Sequence, residues 1–145
     1  MVKKYLKNMK SYQRNILFVL LASLALFSCS SDYPVDEDGL LITNRAECYV
    51  SSFFLNGADH LSVIKGSAAV KNDSCIIRAT VLYGTDLKNL YPSFSLVTDA
   101  KLEPKITGLT DFSDLEHPKQ YTVISGNRKV RKTYTVYLTA EQRPL

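Results

Sequence analysis

From residue 40 onward the chain is a series of short apolar runs, cut every 8 to 12 positions by turn-forming residues, with no window of helical 3.6 periodicity. That texture constrains the fold more than any other feature. Short apolar runs suit strands, whereas a helix needs a longer periodic stripe to bury one side. Regular spacing with turn signals between the runs predicts an all-β fold, a sandwich of about seven strands.

The runs can be taken in order. Residues 40–43 and 47–55 are expected to open the fold, with Asn56-Gly57 as the turn after the second. A short strand over 60–64, another over 68–71 and a turn at Asn72-Asp73-Ser74 follow. Residues 75–82 form the clearest central strand, with Cys75, Ile77, Ala79 and Val81 on one face and Ile76, Arg78, Thr80 and Leu82 on the other. Residues 86–90 suit one helical turn capped by Thr85 or Asp86. Next come a strand over 93–97, a turn at Asp99-Ala100, and a stub over 101–103 ended by Pro104. Residues 106–118 have no period and are expected to form a loop pinned in the core by Phe112. The β-branched and aromatic segments 121–124 and 134–138 should pair as a hairpin around Ser125-Gly126-Asn127.

The segment ahead of residue 29 follows different rules. Lys3, Lys4, Lys7, Lys10 and Arg14 form a basic head, no acidic residue precedes Cys29, and residues 16–27 are all apolar or small. A membrane-spanning helix needs roughly 20 apolar residues to cross a core of about 30 Å. The twelve present here have the length of a signal-peptide apolar region. Leu26-Phe27-Ser28-Cys29 then resembles a bacterial lipoprotein cleavage site, with Phe27 bulkier than usual. The expectation is that residues 1–28 are a lipoprotein signal peptide and that Cys29 is lipidated, placing the protein on the outer membrane. A stop-transfer anchor and a buried core helix are the competing readings. Acyl chains contribute about 0.8 kcal/mol per buried CH₂, so several chains on Cys29 would hold the mature protein durably.

Removing the signal reverses the charge. Five of the eighteen Lys and Arg residues leave with it, so the net of +4 becomes thirteen basic against fourteen acidic residues, or −1. A nucleic-acid partner is thereby excluded, because phosphate contact needs a basic stripe. Residues 29–39 are expected to be an acidic tether, with four carboxylates, one proline and almost no apolar content to pack. Residues 40–145 then make the one folded domain. Cys48 and Cys75 are the candidate disulfide, which in an oxidising compartment would stabilise the fold by about 3–4 kcal/mol. The alternative is two small buried thiols on strand faces.

Several stretches add up to a resemblance. Gly84-Thr85-Asp86-Leu87-Lys88-Asn89-Leu90-Tyr91-Pro92 is similar to the G-T-D-L-x-N-L-x-P run of immunoglobulin-like domains in Bacteroidetes surface lipoproteins. Asp111-Phe112-Ser113, then Tyr121-Thr122-Val123, then Lys132-Thr133-Tyr134-Thr135-Val136 resemble the ending of the same domain. The similarity spans roughly residues 75–139. It implies an immunoglobulin-like β-sandwich of the type found N-terminally in glycan-uptake-associated outer-membrane lipoproteins. The acidic stretch after Cys29 likewise resembles the surface-export signal of such lipoproteins, with a plain solvated spacer as the alternative. The chain stops directly after the domain, so a module acting alone or a truncated remnant is expected.

Chemistry is harder to find. His60 and His117 have no ligand spacing to one another or to a Cys, and a zinc site needs three or four convergent ligands. No nucleophile, zincin, phosphate-loop or dinucleotide motif is present. Asp111, Asp114 and Glu116 could supply a glycosidase pair or a calcium site, but a lone acidic stretch fits a solvated loop better. No catalytic residue, metal or cofactor is therefore expected. Arg128, Lys129, Arg131 and Lys132 cluster near the hairpin tip, where they either hold an anionic polysaccharide or protect a sheet edge. Among the tyrosines, Tyr137 faces away from Tyr134, Val136 and Leu138, and an outward tyrosine can stack on a sugar or anchor a partner. The candidate ligand residues are Tyr91, Tyr137, Arg128, Lys129 and Arg131. The expected function is a non-catalytic accessory of a polysaccharide-uptake system. The alternative is a structural or adhesion subunit with an outer-membrane protein partner.

Overall fold

A computed structural model describes residues 34–143. The expected signal peptide, the lipidation site Cys29 and the first part of the tether lie outside the described residues.

Seven strands form, and no helix is present among the described residues. They are β1 (Val50–Asn56), β2 (Ala69–Lys71), β3 (Ile76–Val81), β4 (Tyr91–Leu96), β5 (Lys101–Glu103), β6 (Lys119–Ile124) and β7 (Arg131–Ala140). β1 and β4 make an antiparallel two-stranded sheet, and the other five make a sheet in the order β2-β3-β7-β6-β5. Alternation explains the packing. Ile77, Ala79 and Val81 of β3 point inward with Tyr134, Val136 and Leu138 of β7 and with Tyr121 and Val123 of β6. They meet Val50, Phe53 and Leu55 of β1, and Phe94 of β4 packs edge-on to Phe53 with ring centroids 4.9 Å apart. Burying one face of each sheet against the other is what a β-sandwich requires.

β6 and β7 pair as the sequence predicts, with Tyr121 opposite Tyr134 and Thr122 opposite Thr133. The loop over 106–118 is pinned as expected: Phe112 is 3% exposed and its N–H donates to Leu87 O at 2.7 Å. Other elements differ. Residues 40–43 make no strand; Leu41 forms one bridge with Val35, and Leu40 and Leu41 are exposed. The backbone there is consumed elsewhere, since Thr43 N–H donates to Gly126 O and Arg128 Nη2 donates to Leu41 O. No helical turn forms over 86–90. Asp86 instead closes a turn, its carboxylate accepting from Lys88 N–H at 3.0 Å and Asn89 Nδ2 at 2.7 Å.

The second half of the acidic tether is packed rather than free. Asp36 Oδ1 accepts from Asp38 N–H and Leu40 N–H, and Gly39, with φ 74°, completes the turn. Lys101 Nζ bridges Asp36, Glu37 and Asp38 at 2.9, 3.3 and 2.7 Å. Composition argued against packing because the residues are polar; a lysine from β5 supplies the countercharge that lets them settle. Cys48 and Cys75 are both free thiols in this structure. Cys48 is buried and its Sγ donates to Val123 O at 3.2 Å, while Cys75 sits at the end of the 72–75 turn with φ 54° and donates to Asn72 O at 3.6 Å.

Candidate functional site

The two-stranded sheet has an outer face, and its composition is set by a β-bulge. The β1/β4 register shifts between Val50 and Ser52, so that Ser52, Phe54 and Asn56 point outward opposite Ser95, Ser93 and Tyr91. Phe54 is 53% exposed, far more than a phenylalanine held in a core. Tyr91 lies diagonally across from it on the same face, close enough for two rings to serve one extended ligand. His60 reaches the same place from the turn after β1: its ring stacks on Tyr91 with centroids 4.9 Å apart and planes 17° apart. That turn is built to present it. Gly57 N–H donates to Leu61 O, Asp59 Oδ1 accepts from Leu61 N–H, and His60 is held in the left-handed region at φ 64°, which an L-residue rarely adopts. The face carries hydroxyls and an amide beside the rings and has no Lys, Arg, Asp or Glu on its strand positions. Aromatic rings flanked by neutral hydrogen-bonding groups can stack on a sugar and bond its hydroxyls.

Tyr137 stands elsewhere. It points out of the five-stranded sheet, 39% exposed, so the two candidate tyrosines occupy opposite outer faces of the sandwich and cannot contribute to one site. The guanidinium of Arg78, its partner in register, lies 5.2 Å from the Tyr137 ring centroid.

The basic cluster is largely consumed by the fold. Arg128, at φ 60°, donates to Asp36 Oδ2, Asp99 O, Ser125 O and Leu41 O, each at 2.9 Å. Four of its five N–H donors are taken, which leaves no free pair to form a fork for an anion. Arg131 pairs with Glu103 across β7 and β5, and Lys129 is exposed beside the turn. Burial pushes the Asp36 carboxyl up, but hydrogen bonds from Lys101 and from the Leu40 and Asp38 N–H groups outweigh it and hold the pKa at about 2.

Two carboxylates of the acidic loop are shifted away from what an acid catalyst needs. Asp111 is held below the usual carboxylate range by its hydrogen bond with Ser113, and Asp114 by its hydrogen bond with His117. A glycosidase general acid needs the opposite shift. Among the described residues no group of three His, Cys, Asp or Glu is placed to hold a metal ion. A groove of about 480 Å³ runs between the edge strands β4 and β5, lined by Leu40, Phe94, Leu96, Leu102 and Ile106 with Lys105 at its rim.

Sequence reasoning reached Tyr91 but missed Phe54 and His60. In the run Phe53-Phe54-Leu55 nothing local says which ring is outward; the bulge decides it. The turn signal at Asn56-Gly57 was visible, yet the stacking of His60 on Tyr91 joins residues on different elements.

Comparison with known proteins places these features in context. A family model described as "SGBP, N-terminal" matches residues 51–138, more than half of the chain. A Bacteroides thetaiotaomicron protein provisionally described as a glycoside hydrolase is similar in structure, with a TM-score of 0.56 and 30% identity over 68% of this chain and 26% of that one. The chain thus spans about a quarter of the length of that protein. A secreted protein of Bacteroides fragilis shares the fold with a TM-score of 0.50 and 13% identity, over 66% of this chain and 97% of that one. No curated protein sequence matches the chain.

Proposed function

The chain belongs to the family of SGBP N-terminal domains, and from that premise we propose that it is a non-catalytic accessory of a Bacteroidetes polysaccharide-uptake system. It captures glycan on the outer face of β1 and β4 while its lipidated Cys29 holds it on the outer membrane, facing the cell exterior. The observation that carries this reading is the shared face of Phe54 and Tyr91, with His60 stacked on Tyr91 and with Ser93 and Asn56 beside the two rings. Phe54 has no role in the core, and its outward ring is available to stack beside Tyr91. The absence of charge on the strand positions suits neutral sugar rings.

Catalysis is set aside for two reasons. The hydrolase-like neighbour is four times longer than the region it shares, so its described activity need not reside in this domain. The carboxylates of the 111–116 loop are exposed, and hydrogen bonds hold Asp111 and Asp114 below the usual range, which suits a solvated connection.

Affinity electrophoresis of the full chain through gels cast with single polysaccharides tests the reading. Retention by at least one polysaccharide, reduced about tenfold by Phe54→Ala and unchanged by Tyr137→Ala, is expected from loss of one stacking contact. No retention in any gel overturns glycan capture. Mass spectrometry of membrane fractions tests the anchor: a diacylated N-terminal Cys29 peptide is expected, and an intact Met1 terminus overturns it.

A second reading draws on the groove between β4 and β5, where, among the described residues, each sheet ends in an edge with no further strand. An edge beside a groove of mixed apolar and charged lining can accept an added strand from a protein partner. That arrangement supports the assembly or adhesion alternative, and co-purification of an outer-membrane protein together with uniform failure to bind polysaccharide would favour it.

A further inference from the structure

Arg78 and Tyr137 make a second surface, on the side of the sandwich away from Phe54 and Tyr91. The parallel pairing of β3 with β7 sets them side by side, with the guanidinium carbon 5.2 Å from the ring centroid. Around them the outward positions are Thr80, Thr135 and Thr139, with Gln120 on β6. Among the described residues no carboxylate pairs with Arg78, whereas Arg45, Arg128 and Arg131 each have one. The outward positions of β2, β3 and β7 include Lys71, Arg78 and Arg131 and no Asp or Glu.

These features favour one kind of occupant. A guanidinium over the phenol ring blocks that ring face against a sugar while leaving the planar fork of donors free. Neither residue lines the grooves at β4–β5 or beside β1, and small ligands are bound in concave sites. Tyr and Arg are the residue types that most often anchor protein interfaces, and Arg78, which has no carboxylate partner among the described residues, is complementary to an acidic group.

We propose that the outer face of β3 and β7 docks an acidic patch of a protein partner, with Arg78 receiving a partner carboxylate and Tyr137 packing against the carbon stem beneath it. The proposal does not depend on glycan capture, since the two faces share no residue.

The test places a photo-crosslinking amino acid at Thr135 of the full chain in its native cells, with adducts identified by mass spectrometry. One heteromeric adduct is expected, its crosslinked site next to an Asp or Glu. Arg78→Glu should lower its yield about tenfold, as expected for loss of an anchoring charge pair, and Tyr137→Ala should lower it several-fold. Reversing the partner's acidic residue to Arg should restore the adduct in the Arg78→Glu background. Arg78→Gln provides the same readout without a new charge should the reversal impair folding. No adduct, an adduct only with a second copy, or a yield indifferent to Arg78 overturns the proposal. Retention by polygalacturonate that vanishes in Arg78→Gln also overturns it, assigning the face to an acidic glycan.

Discussion

Arg128 Nε donates to Asp36 Oδ2 at 2.9 Å, joining residues 92 positions apart. Lys101 Nζ approaches the same oxygen at 2.9 Å from the other side, and the Asp36 side chain is only 4% exposed. One carboxylate thus ties the entry segment to the turn before β7 and to β5. Arg128 is able to reach it because its own backbone is left-handed, which turns the side chain back over Ser125 and Asp99. What composition presents as a solvated spacer and a cationic tip are, in the fold, the two halves of one clasp.

The clasp makes stability depend on acid. The folded Asp36 pKa of about 2 lies below the ordinary 3.8, so the folded state binds this proton less tightly than the unfolded state. Its contribution is fully present above the ordinary value and is lost as pH falls through about 2. Thermal melts should therefore be level down to about pH 4.5 and drop steeply below it. Asp36→Asn should melt lower than the wild type at pH 7 and lose less on acidification. Asp86, Asp111, Asp114 and Glu141, also held low by hydrogen bonds, keep some slope in the variant. A variant curve parallel to the wild type through this range would contradict the clasp.

Tyr134 supplies a second internal test. Its side chain is fully buried, its hydroxyl donates to Asn72 Oδ1 at 2.6 Å, and Val50 N–H donates to the hydroxyl at 3.4 Å. Asn72 Nδ2 donates in turn to Val50 O at 3.1 Å, so this one hydroxyl links the β2–β3 turn to β1 across the core. Tyr134→Phe removes the shorter of the two hydrogen bonds to Asn72 Oδ1, the other coming from Val50 N–H at 3.3 Å, and should cost about 1 kcal/mol in urea unfolding. Tyr137→Phe, on the surface, should change stability by less than about 0.5 kcal/mol. Equal effects of the two would contradict the placement of the sheets.

Much of this was legible in the sequence, for local reasons. Ile77, Ala79 and Val81 alternate with polar residues, Pro104 ends β5, and Ser125-Gly126-Asn127 marks the final turn. What could not be read is what depends on distant pairing. The parallel register of β3 with β7 leaves no local signal, and it is what places Arg78 on Tyr137. The bulge after Val50 turns Phe54 outward, and a single inserted residue of this kind has no signature in an apolar run. Arg128 looked free because its four acceptors lie at positions 36, 41, 99 and 125, most of them far along the chain.

The two free thiols differ in access. Cys48 is buried, and burial pushes its thiol pKa up, which suppresses the reactive thiolate. Cys75 is partly exposed at the end of its turn. Maleimide treatment of the native protein at pH 7 should label Cys75 first, and Cys48 should react only on unfolding. Recovery of no reactive thiol at either position after denaturation without reductant would instead establish a Cys48–Cys75 disulfide.

The central claim is that ligand is held on the β1/β4 face and not on the face of Tyr137. Backbone amide shifts of the isotope-labelled full chain, followed while an oligosaccharide from a retained polysaccharide is titrated in, test it most directly. The account predicts shifts concentrated at Ser52, Phe54, Asn56, His60, Tyr91 and Ser93, with Arg78, Thr135 and Tyr137 unmoved. Shifts confined to Arg78, Thr135 and Tyr137 would contradict it.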